Sequence, residues 1–344
     1  MNNIKWDIAK GSKVKIDDKW YIDFTSSIFS QNFGHSNYYV IREVRRQLKK
    51  CSHAYGYNTD IREKYLEALK AKTGYENILL FSTGAEAIEA SIKIALNNGY
   101  SCIGVRGSMH GRTLGAEALV GKRVINKINT TELICNSFFY KNNAIFVEGY
   151  RGYDCKQLND DDFNNLILAQ NNGNIIIFDE IQSGFYRTNK MFVCDTKIIP
   201  DILVIGKSMG GGFPLSAVCW NKDFNLNGIE LTSTHSGQPL QMAAGYGVLN
   251  YINNHFDFRK YNENVEIMNR FFNNLRRYYK NYSFNNKGMV GAICFGSEDF
   301  IYNYCFNNGL LVTKTGKGWI KIAPPINISK KLFYKGLSIL EGLF

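Results

Sequence analysis

The chain has 344 residues, of which 45% are hydrophobic and 21% are charged, a composition that excludes an intrinsically disordered protein. This length is enough for one large core and a smaller lobe, so two domains are expected. The 41 lysines and arginines give a net charge of +11, but they are spread along the chain, which favours a solvated basic surface that attracts anionic small molecules over a track that binds nucleic acid.

The predicted elements begin with a hairpin and continue as alternating helices and strands. The hairpin pattern covers residues 13–24, and helical spacing follows at 41–50 and 61–72. Short apolar runs typical of buried strands lie at 78–81, 101–105, 144–147, 174–178 and 201–205, followed by a helix at about 239–253 and a mixed C-terminal lobe. Alternating strands and helices predict an α/β fold with a doubly wound, mainly parallel sheet whose loops gather at one end.

A lysine and an acid lie at the ends of two of these runs. Lys207 follows the run at 201–205, and the glycines at 210–212 let other atoms approach it closely. Asp179 follows the run at 174–178. Such a pair is typical of enzymes that use pyridoxal phosphate (PLP), because PLP needs a lysine to form an imine with its aldehyde and an acid to keep its pyridine nitrogen protonated.

A candidate anion site lies at Ser82–Ala87, between the run at 78–81 and a predicted helix at 85–96. The amides of Gly84 and Ala85 would point out of the helix N-terminus, where anions bind. A Ser-Thr-Gly turn is also a common helix cap, and alone it does not distinguish the two functions. Together with Lys207, the segment favours a phosphate site.

Five motifs occur in order along nearly the whole chain, at 82–87, 110–113, 179–188, 206–218 and 233–240. This series resembles that of the class III, fold-type I PLP-dependent aminotransferases, which include ornithine, acetylornithine and 4-aminobutyrate aminotransferases and glutamate-1-semialdehyde aminomutase. The resemblance implies a large PLP-binding domain at 61–250, with a mainly parallel seven-stranded sheet flanked by helices. It also implies a small α+β domain built from an N-terminal segment, 1–60, and a C-terminal segment, 251–344.

The resemblance assigns the chemistry to three side chains. Lys207 is similar to the lysine that forms the Schiff base and moves the proton between the substrate carbon and the cofactor. Asp179 is similar to the acid that pairs with the pyridinium nitrogen. Gln182 is similar to the residue that hydrogen-bonds the phenolic oxygen of the cofactor.

Further matched residues are expected to bind the cofactor. They are Thr83, Gly84 and Ala85 at the phosphate, Ile181 and Met109 on the two faces of the ring, and Thr234. Thr234 resembles a residue that reaches the phosphate of the neighbouring subunit, which implies a homodimer with its active site at the interface. Met109 replaces the usual aromatic residue; a thioether can still contact a ring favourably, and a plain core role is the alternative. Gln238 replaces the usual asparagine before Pro239.

Departures from the family pattern bear on the substrate. Lys321 replaces the arginine that binds a substrate carboxylate, which keeps the charge but loses the bidentate fork. Tyr153 replaces a glutamate that shields this arginine in several members, five residues after Glu148. Tyr55 falls near a substrate-pocket tyrosine, with ordinary packing as the equal alternative. Arg151 offers a second anion contact, unless it is a plain surface residue.

These residues predict an aminotransferase that moves an amino group between glutamate, or another amino acid, and a carbonyl acceptor. The altered substrate residues and the short segments at 113–144 and in the C-terminal lobe favour an unusual anionic acceptor, such as a phosphorylated or nucleotide-linked compound. A PLP-dependent aminomutase, decarboxylase or racemase that uses the same lysine is the alternative. A non-catalytic PLP-binding protein would be expected to lose Lys207, Asp179 or Gln182, and all three are present.

The cysteines and the N-terminus bear on the cellular compartment. Eight cysteines show no CxxC pair and no metal-like spacing with the five histidines, so no metal site is expected. Reduced thiols are typical of cytosolic proteins. Residues 1–7 lack an apolar signal core, and no run approaches the roughly 20 apolar residues of a membrane span. A soluble, cytoplasmic enzyme is therefore expected.

Overall fold

The computed structural model describes residues 4–131, 141–194 and 197–344. In chain order the strands are β1 (Trp6–Lys10), β2 (Lys13–Ile16), β3 (Lys19–Asp23), β4 (Asn77–Phe81), β5 (Ser101–Val105), β6 (Ile128–Thr131), β7 (Asn143–Glu148), β8 (Ile175–Asp179), β9 (Ile202–Ile205), β10 (Ser216–Trp220), β11 (Ser283–Lys287), β12 (Val290–Cys294), β13 (Leu310–Leu311), β14 (Thr313–Lys314) and β15 (Ile320–Ile322). The helices are α1 (Ser26–Phe29), α2 (Tyr38–Leu48), α3 (Asp60–Thr73), α4 (Gly84–Asn97), α5 (Leu114–Leu119), α6 (Asp160–Asn171), α7 (Pro239–Asn254), α8 (Phe258–Tyr278), α9 (Glu298–Asn307) and α10 (Lys330–Glu341). Within these three ranges, no helix has the length and apolar character needed to cross a lipid bilayer.

The largest sheet has seven strands in the order β4-β10-β9-β8-β7-β5-β6. The five strands from β9 to β6 run parallel, whereas β10 is antiparallel to both of its neighbours. The apolar runs predicted from the sequence form β4, β5, β7, β8 and β9, so the mainly parallel α/β sheet is confirmed. Strands β6 and β10 complete the sheet and were not predicted.

Side chains of the central strands alternate between two apolar layers. Val147 of β7 belongs to a core that includes Leu166 of α6, and Phe146 belongs to the opposite core, which includes Ile88 of α4. Every residue of β7 and β8 is buried. Helices cover both faces of a parallel sheet, so apolar residues are needed at successive positions, which explains the continuous apolar runs in the sequence.

The N-terminal and C-terminal segments meet in a second sheet, with the order β1-β2-β3-β13. The predicted hairpin is present as β2 and β3, and β3 pairs in parallel with β13, so that Ile22 lies opposite Leu310. A third sheet, β11-β12-β15-β14, carries Lys321 on β15. Its end is joined to the N-terminal segment by a hydrogen bond from the Ala323 amide to the Phe24 carbonyl, at 2.6 Å.

Helices α2 and α7 cross at very short range and support the loop that follows β9. A Cβ atom on Gly247 of α7 would lie 2.7 Å from the Cα atom of Val40 in α2, so this approach of two backbones requires glycine. Gly211 lies against the same crossing, with its backbone at a φ of +55°, where glycine is favoured. A Cβ there would meet Val248 at 2.9 Å and Val40 at 3.0 Å. The glycines after Lys207 therefore allow this loop to pack closely on two helices.

Candidate active site

Two carboxylates and a lysine follow one another at the same edge of the large sheet. Asp179 ends β8 and Glu148 ends β7, and the two residues are direct register partners. Both are buried, with exposed fractions of 4% and 6%. Lys207 is the second residue after β9 and begins a short 3-10 helix, Lys207–Gly210. Because the carboxyl ends of parallel strands lie together, the fold brings the predicted acid and the predicted lysine to one edge.

The amine of Lys207 lies in an environment that favours its neutral form. Burial lowers the pKa of this amine, while the negative charges of Asp179 and Glu148 act in the opposite direction and do not cancel the shift. A neutral amine is the nucleophilic form of lysine. The residue has a φ of +45°, a backbone conformation that non-glycine residues rarely adopt and that is concentrated at functional sites. Lys207 as a whole residue is only partly buried.

The carboxylate of Asp179 is held by one partner on each oxygen. The Nδ1 atom of His110 lies 2.9 Å from Oδ2, and the Ile181 amide donates to Oδ1 at 3.0 Å. Burial opposes a charge on the His110 ring, but the hydrogen bond and the charge of Asp179, with that of Glu148, outweigh it and raise the pKa of His110. These contacts fix the rotamer of the acid that sequence analysis assigned to the cofactor nitrogen.

Glu148 organises two backbone segments around this edge. Its Oε2 atom accepts hydrogen bonds from the amides of Met109, at 2.9 Å, and Gly152, at 3.2 Å. Burial raises the pKa of this carboxyl from 4.5 to about 7, and the charge of Asp179 adds to the shift, against the effects of His110 and the two hydrogen bonds. Glu148 therefore connects the segment that carries Met109 with the loop that carries Tyr153.

Gln182 and Lys321 are in direct contact. The ammonium of Lys321 donates to the Gln182 Oε1 atom at 3.1 Å and to the Gly152 carbonyl at 2.6 Å. It also lies 4.3 Å from the ring centroid of Phe29, which places a cation over an aromatic face. Only 5% of Lys321 is exposed, and burial lowers the pKa of its amine to about 8. The residue predicted to bind a substrate carboxylate is thus surrounded by protein groups.

The predicted anion site has the geometry of a capped helix N-terminus. Thr83 caps α4: its hydroxyl accepts a hydrogen bond from the Glu86 amide, and the Glu86 side chain accepts one from the Thr83 amide. The amides of Gly84 and Ala85 lie in the first turn, where no intrahelical acceptor exists. A Cβ atom on Gly84 would lie 2.7 Å from the Ile181 side chain, so the helix start packs closely against the residue that follows the Asp179–Glu180 strand end.

The ring of Tyr153 contacts two cations. The guanidinium carbon of Arg151 is 4.8 Å from the Tyr153 ring centroid, and the Lys317 ammonium is 4.2 Å from it. Arg151 also pairs with Asp154, whereas the Lys317 ammonium forms no ion pair within the described ranges; the Lys317 amide donates to Glu298 Oε1 at 3.3 Å. Two cationic side chains therefore contact the ring of Tyr153, the residue that the sequence analysis compared with a shielding glutamate.

Three other predicted residues lie at the surface of the chain. Met109 is 40% exposed and Tyr55 is 55% exposed, and Thr234 is also exposed. Gln238 joins the segments of Tyr55 and Thr234, because its Oε1 accepts from the Ala54 amide at 3.0 Å and its Nε2 donates to the Thr234 carbonyl at 2.7 Å. No hydrogen bond between described residues connects Tyr55 or Thr234 to the lysine in the same chain.

The sequence profile of a protein family described as Aminotransferase class-III matches residues 2–171 and 143–344. The chain belongs to the class III aminotransferase family. Acetylornithine aminotransferase from Clostridium acetobutylicum is 28% identical to it, over 98% of this chain and 96% of the relative. A [LysW]-aminoadipate semialdehyde/glutamate semialdehyde transaminase from Sulfolobus acidocaldarius is 29% identical, over 95% of this chain and 91% of the relative.

The fold agrees with solved structures of the family. The crystal structure of ornithine aminotransferase from Toxoplasma gondii ME49 superposes with a TM-score of 0.89, at 22% identity, and covers 99% of this chain and 91% of that protein. At that identity the likeness establishes the fold-type I architecture alone. The family model and the curated relatives establish the activity class, so this class III enzyme is a PLP-dependent aminotransferase.

The residues at the sheet edge fit PLP. An amine with a lowered pKa, a carboxylate held in one rotamer and two first-turn amides without an intrahelical acceptor are the groups that the aldehyde, the ring nitrogen and the phosphate require. Two glycines let these groups lie close together around Ile181. A Cβ atom on Gly206 would lie 3.4 Å from the Ile181 side chain, and a Cβ atom on Gly84 would lie 2.7 Å from it.

Sequence analysis assigned no role to several residues that support this site. Phe29 ends α1, a turn with left-handed backbone angles whose sequence carries no signal for such a conformation. The Ser208 hydroxyl donates to the Phe29 carbonyl at 2.6 Å, which ties this turn to the lysine loop. His110 and Arg187 stood within recognised motifs, so their importance was visible but their contacts were not.

Proposed function

We propose that Lys207 binds PLP covalently and carries the proton, and that the enzyme transfers the amino group of glutamate, or another amino acid, to a carbonyl acceptor. The observation that carries this proposal is the position of Lys207 beside Asp179 at one sheet edge. PLP, when bound, supplies the electron-accepting ring that amino transfer needs. The lowered pKa of Lys207 favours the neutral amine, which attacks a carbonyl and accepts a proton.

The other matched residues have positioning roles in this proposal. Asp179, with its two oxygens fixed, keeps the ring nitrogen protonated, and Gln182 donates to the phenolic oxygen. The amides of Gly84 and Ala85, with the cap residue Thr83, bind the phosphate. Ile181 and Met109 contact the two ring faces. The close packing of Gly84 on Ile181 supports this arrangement, because it brings the helix N-terminus beside the strand that ends at Asp179.

The proposed acceptor carries an anionic group. Lys317 and Arg151 contact the Tyr153 ring, and a tyrosine stands where the family resemblance implies a glutamate in several members. This segment is therefore proposed to form an entrance that attracts anions where an acid would repel them. A phosphorylated or nucleotide-linked carbonyl compound has the charge that this entrance suits. Tyr55 and Tyr153 are the side chains proposed to contact this substrate.

A second candidate acceptor follows from the relatives. The names of the two curated relatives given above describe an acetylornithine aminotransferase and a semialdehyde transaminase. Each of them matches nearly the full length of this chain. An acetylornithine-type reaction with 2-oxoglutarate and glutamate as the second pair is therefore the alternative proposal. The lysine at 321 in place of arginine weighs against it, because a lysine cannot form a bidentate pair with the α-carboxylate.

A substrate screen distinguishes these reactions. Purified enzyme with bound PLP is mixed with single amino acids, and the loss of the lysine–PLP absorption band near ~420 nm is followed by stopped flow. If acetylornithine and common ω-amino acids alone discharge the band, the anionic acceptor is refuted. Product analysis with and without an added keto acid separates transamination from aminomutase, decarboxylase or racemase activity, because only transamination needs a second substrate.

The mechanism itself is tested with Lys207→Ala and, as a control, the exposed Lys190→Ala. Lys207→Ala is expected to lose the ~420 nm band and more than about 1,000-fold of turnover, because no other residue provides the amine. Lys190→Ala should retain both. Full activity in the Lys207→Ala enzyme would refute the proposed role.

We also propose a homodimer in which Thr234 reaches the phosphate site of the partner. Its exposure, and that of Tyr55 and Tyr57 (55% and 79%) on the same surface, supports this proposal. Sedimentation measures the assembly. Mixing Lys207→Ala subunits with Thr234→Ala subunits tests the shared site, because one intact site can form in a hybrid dimer; no recovery of activity would count against it.

The proposed compartment is the cytoplasm. Of the seven cysteines in the described ranges, five are buried. Burial raises the pKa of the Cys102 and Cys155 thiols to about 12, so these groups are unreactive. Fractionation of the source cells tests this assignment, and recovery outside the cytoplasm would contradict it.

A further inference from the structure

The ammonium of Lys321 contacts three protein groups in the described structure. A lysine ammonium has three N–H donors and no acceptor. One donor meets the Gly152 carbonyl at 2.6 Å, one meets Gln182 Oε1 at 3.1 Å, and the ring of Phe29 occupies the remaining side, with its centroid at 4.3 Å. No carboxylate of the described ranges lies within ion-pair distance of this ammonium.

This environment differs from that of a substrate-binding cation. An arginine at this position has five donors and can hold protein groups and a carboxylate together. Two of the three lysine donors are used by Gly152 and Gln182, the ammonium also lies against the Phe29 ring, and only 5% of the residue is exposed. A carboxylate could contact the ammonium only after Gln182 or Gly152 had moved away.

The contact with Lys321 determines which way the amide of Gln182 faces. The side-chain oxygen and nitrogen of a glutamine are nearly the same size, so an amide that lacks a selective partner can turn over. An ammonium donates hydrogen bonds and cannot accept them. Lys321 therefore pairs with the Oε1 atom of Gln182 and not with the Nε2 group. The Nε2 group, which is a donor, is then the part of Gln182 that remains for another partner.

We propose that Lys321 is a positioning residue, which fixes Gln182 so that its N–H group faces the phenolic oxygen of PLP, rather than a substrate-carboxylate site. This inference rests on the proposed function, in which Gln182 meets that oxygen. A donor of this kind stabilises negative charge on the phenolic oxygen, which makes the neighbouring lysine–PLP nitrogen less basic. Lys321 thus influences the cofactor through Gln182.

Gly152 makes this arrangement possible. Its carbonyl accepts from Lys321, and its amide donates to Glu148 at 3.2 Å. A Cβ atom at this position would lie 2.8 Å from Glu148 Oε1 and 3.4 Å from Gln182 Oε1. The glycine therefore lets a backbone segment pass between the acid at the end of β7 and the amide that Lys321 holds.

The experiment is a double-mutant cycle with Lys321→Met, Gln182→Ala and the double variant, read out by absorbance. The measured quantity is the pH at which the ~420 nm band of the PLP-bound enzyme converts to its deprotonated form. Lys321→Met is expected to raise this pH by about one unit, the effect of losing one hydrogen bond to a charged group. In the Gln182→Ala background the same substitution should produce almost no further shift.

Three results would overturn the proposal. Equal shifts from Lys321→Met in both backgrounds would mean that the ammonium acts directly by its charge. An unchanged band with a KM for the amino donor raised tenfold or more would mean that Lys321 binds the substrate carboxylate. An altered band in Lys321→Arg, which keeps a charged, donor-only group, would mean that the donor character of this residue is irrelevant.

A separate variant keeps the test independent of how Lys321→Met folds. Gln182→Glu retains an oxygen that accepts from Lys321 but has no N–H to donate, so it is expected to raise the transition pH by about one unit or more with Lys321 intact. A wild-type transition in Gln182→Glu refutes the inference. It leaves the proposed function standing, because Lys207→Ala and its effect on the band test that function separately.

Discussion

Replacing Arg187 by methionine should destabilise the fold strongly. Arg187 is fully buried, and its guanidinium donates five hydrogen bonds to four residues of distant segments. The acceptors are Asn32 Oδ1 at 3.1 and 2.5 Å, the Met289 and Pro324 carbonyls at 2.7 Å each, and Ser26 Oγ at 3.1 Å. Arg187 thereby joins the N-terminal turn and the C-terminal lobe to the segment after β8.

The magnitude follows from two opposing contributions. Each of the four buried acceptors that lose the guanidinium costs about 1–3 kcal/mol, or about 4–12 kcal/mol together. Against this, removing the guanidinium recovers the several kcal/mol needed to bury its charge. Burial lowers the pKa of Arg187 only to about 10, so the group is charged at neutral pH and this cost is present. The net loss expected for Arg187→Met is about 3–5 kcal/mol.

Urea denaturation measures this loss. Apoenzyme at a fixed protein concentration is compared between the wild type, Arg187→Met and Arg259→Met, so that neither PLP binding nor association differs. The Arg259 side chain is 84% exposed, and its substitution should change the free energy of unfolding by less than about 0.5 kcal/mol. A loss below about 1 kcal/mol in Arg187→Met would refute the reasoning, because it would mean that the five hydrogen bonds barely exceed the cost of burying the charge.

Two further predictions concern Glu148 and Gly247. Burial raises the pKa of Glu148 from 4.5 to about 7 in the folded state, because it disfavours the charged form. The free energy of unfolding therefore falls as the pH rises from 4.5 through 7, where the folded protein has to release this proton. Glu148→Gln should therefore gain about 2–3 kcal/mol relative to wild type between pH 5 and 8 in urea titrations; a pH-independent difference would contradict this. Gly247→Ala should lower the melting temperature by the equivalent of about 1–3 kcal/mol, because its Cβ meets the Val40 backbone; stabilisation, as helix propensity alone predicts, would contradict it.

The sequence predicted the central part of the fold because its signals are local. Continuous apolar runs of four to five residues correspond to β4, β5, β7, β8 and β9, since parallel strands covered on both faces need apolar residues at every position. The same runs place Asp179 and Lys207 at strand ends. The order of the motifs then identified the family, and the profile match confirmed it.

Strand order and the conformation of short segments required the tertiary structure. β10 is a short apolar run after Pro214 and pairs antiparallel with β4 and β9, strands that lie far from it or directly before it in the chain. The left-handed turn that ends at Phe29 is built from ordinary residues, and contacts with Arg187, Ser208 and Ala323 hold it in place.

The sequence by itself determined which chemical groups the enzyme has: a lysine and an acid at neighbouring strand ends, a helix N-terminus for an anion, and a lysine at position 321 in place of arginine. Only the tertiary structure decided what Lys321 touches, because its partners Gly152 and Gln182 are 169 and 139 residues away. Residue type defines how many hydrogen bonds a side chain can donate. Which groups receive them depends on packing between distant segments, and no local pattern records it.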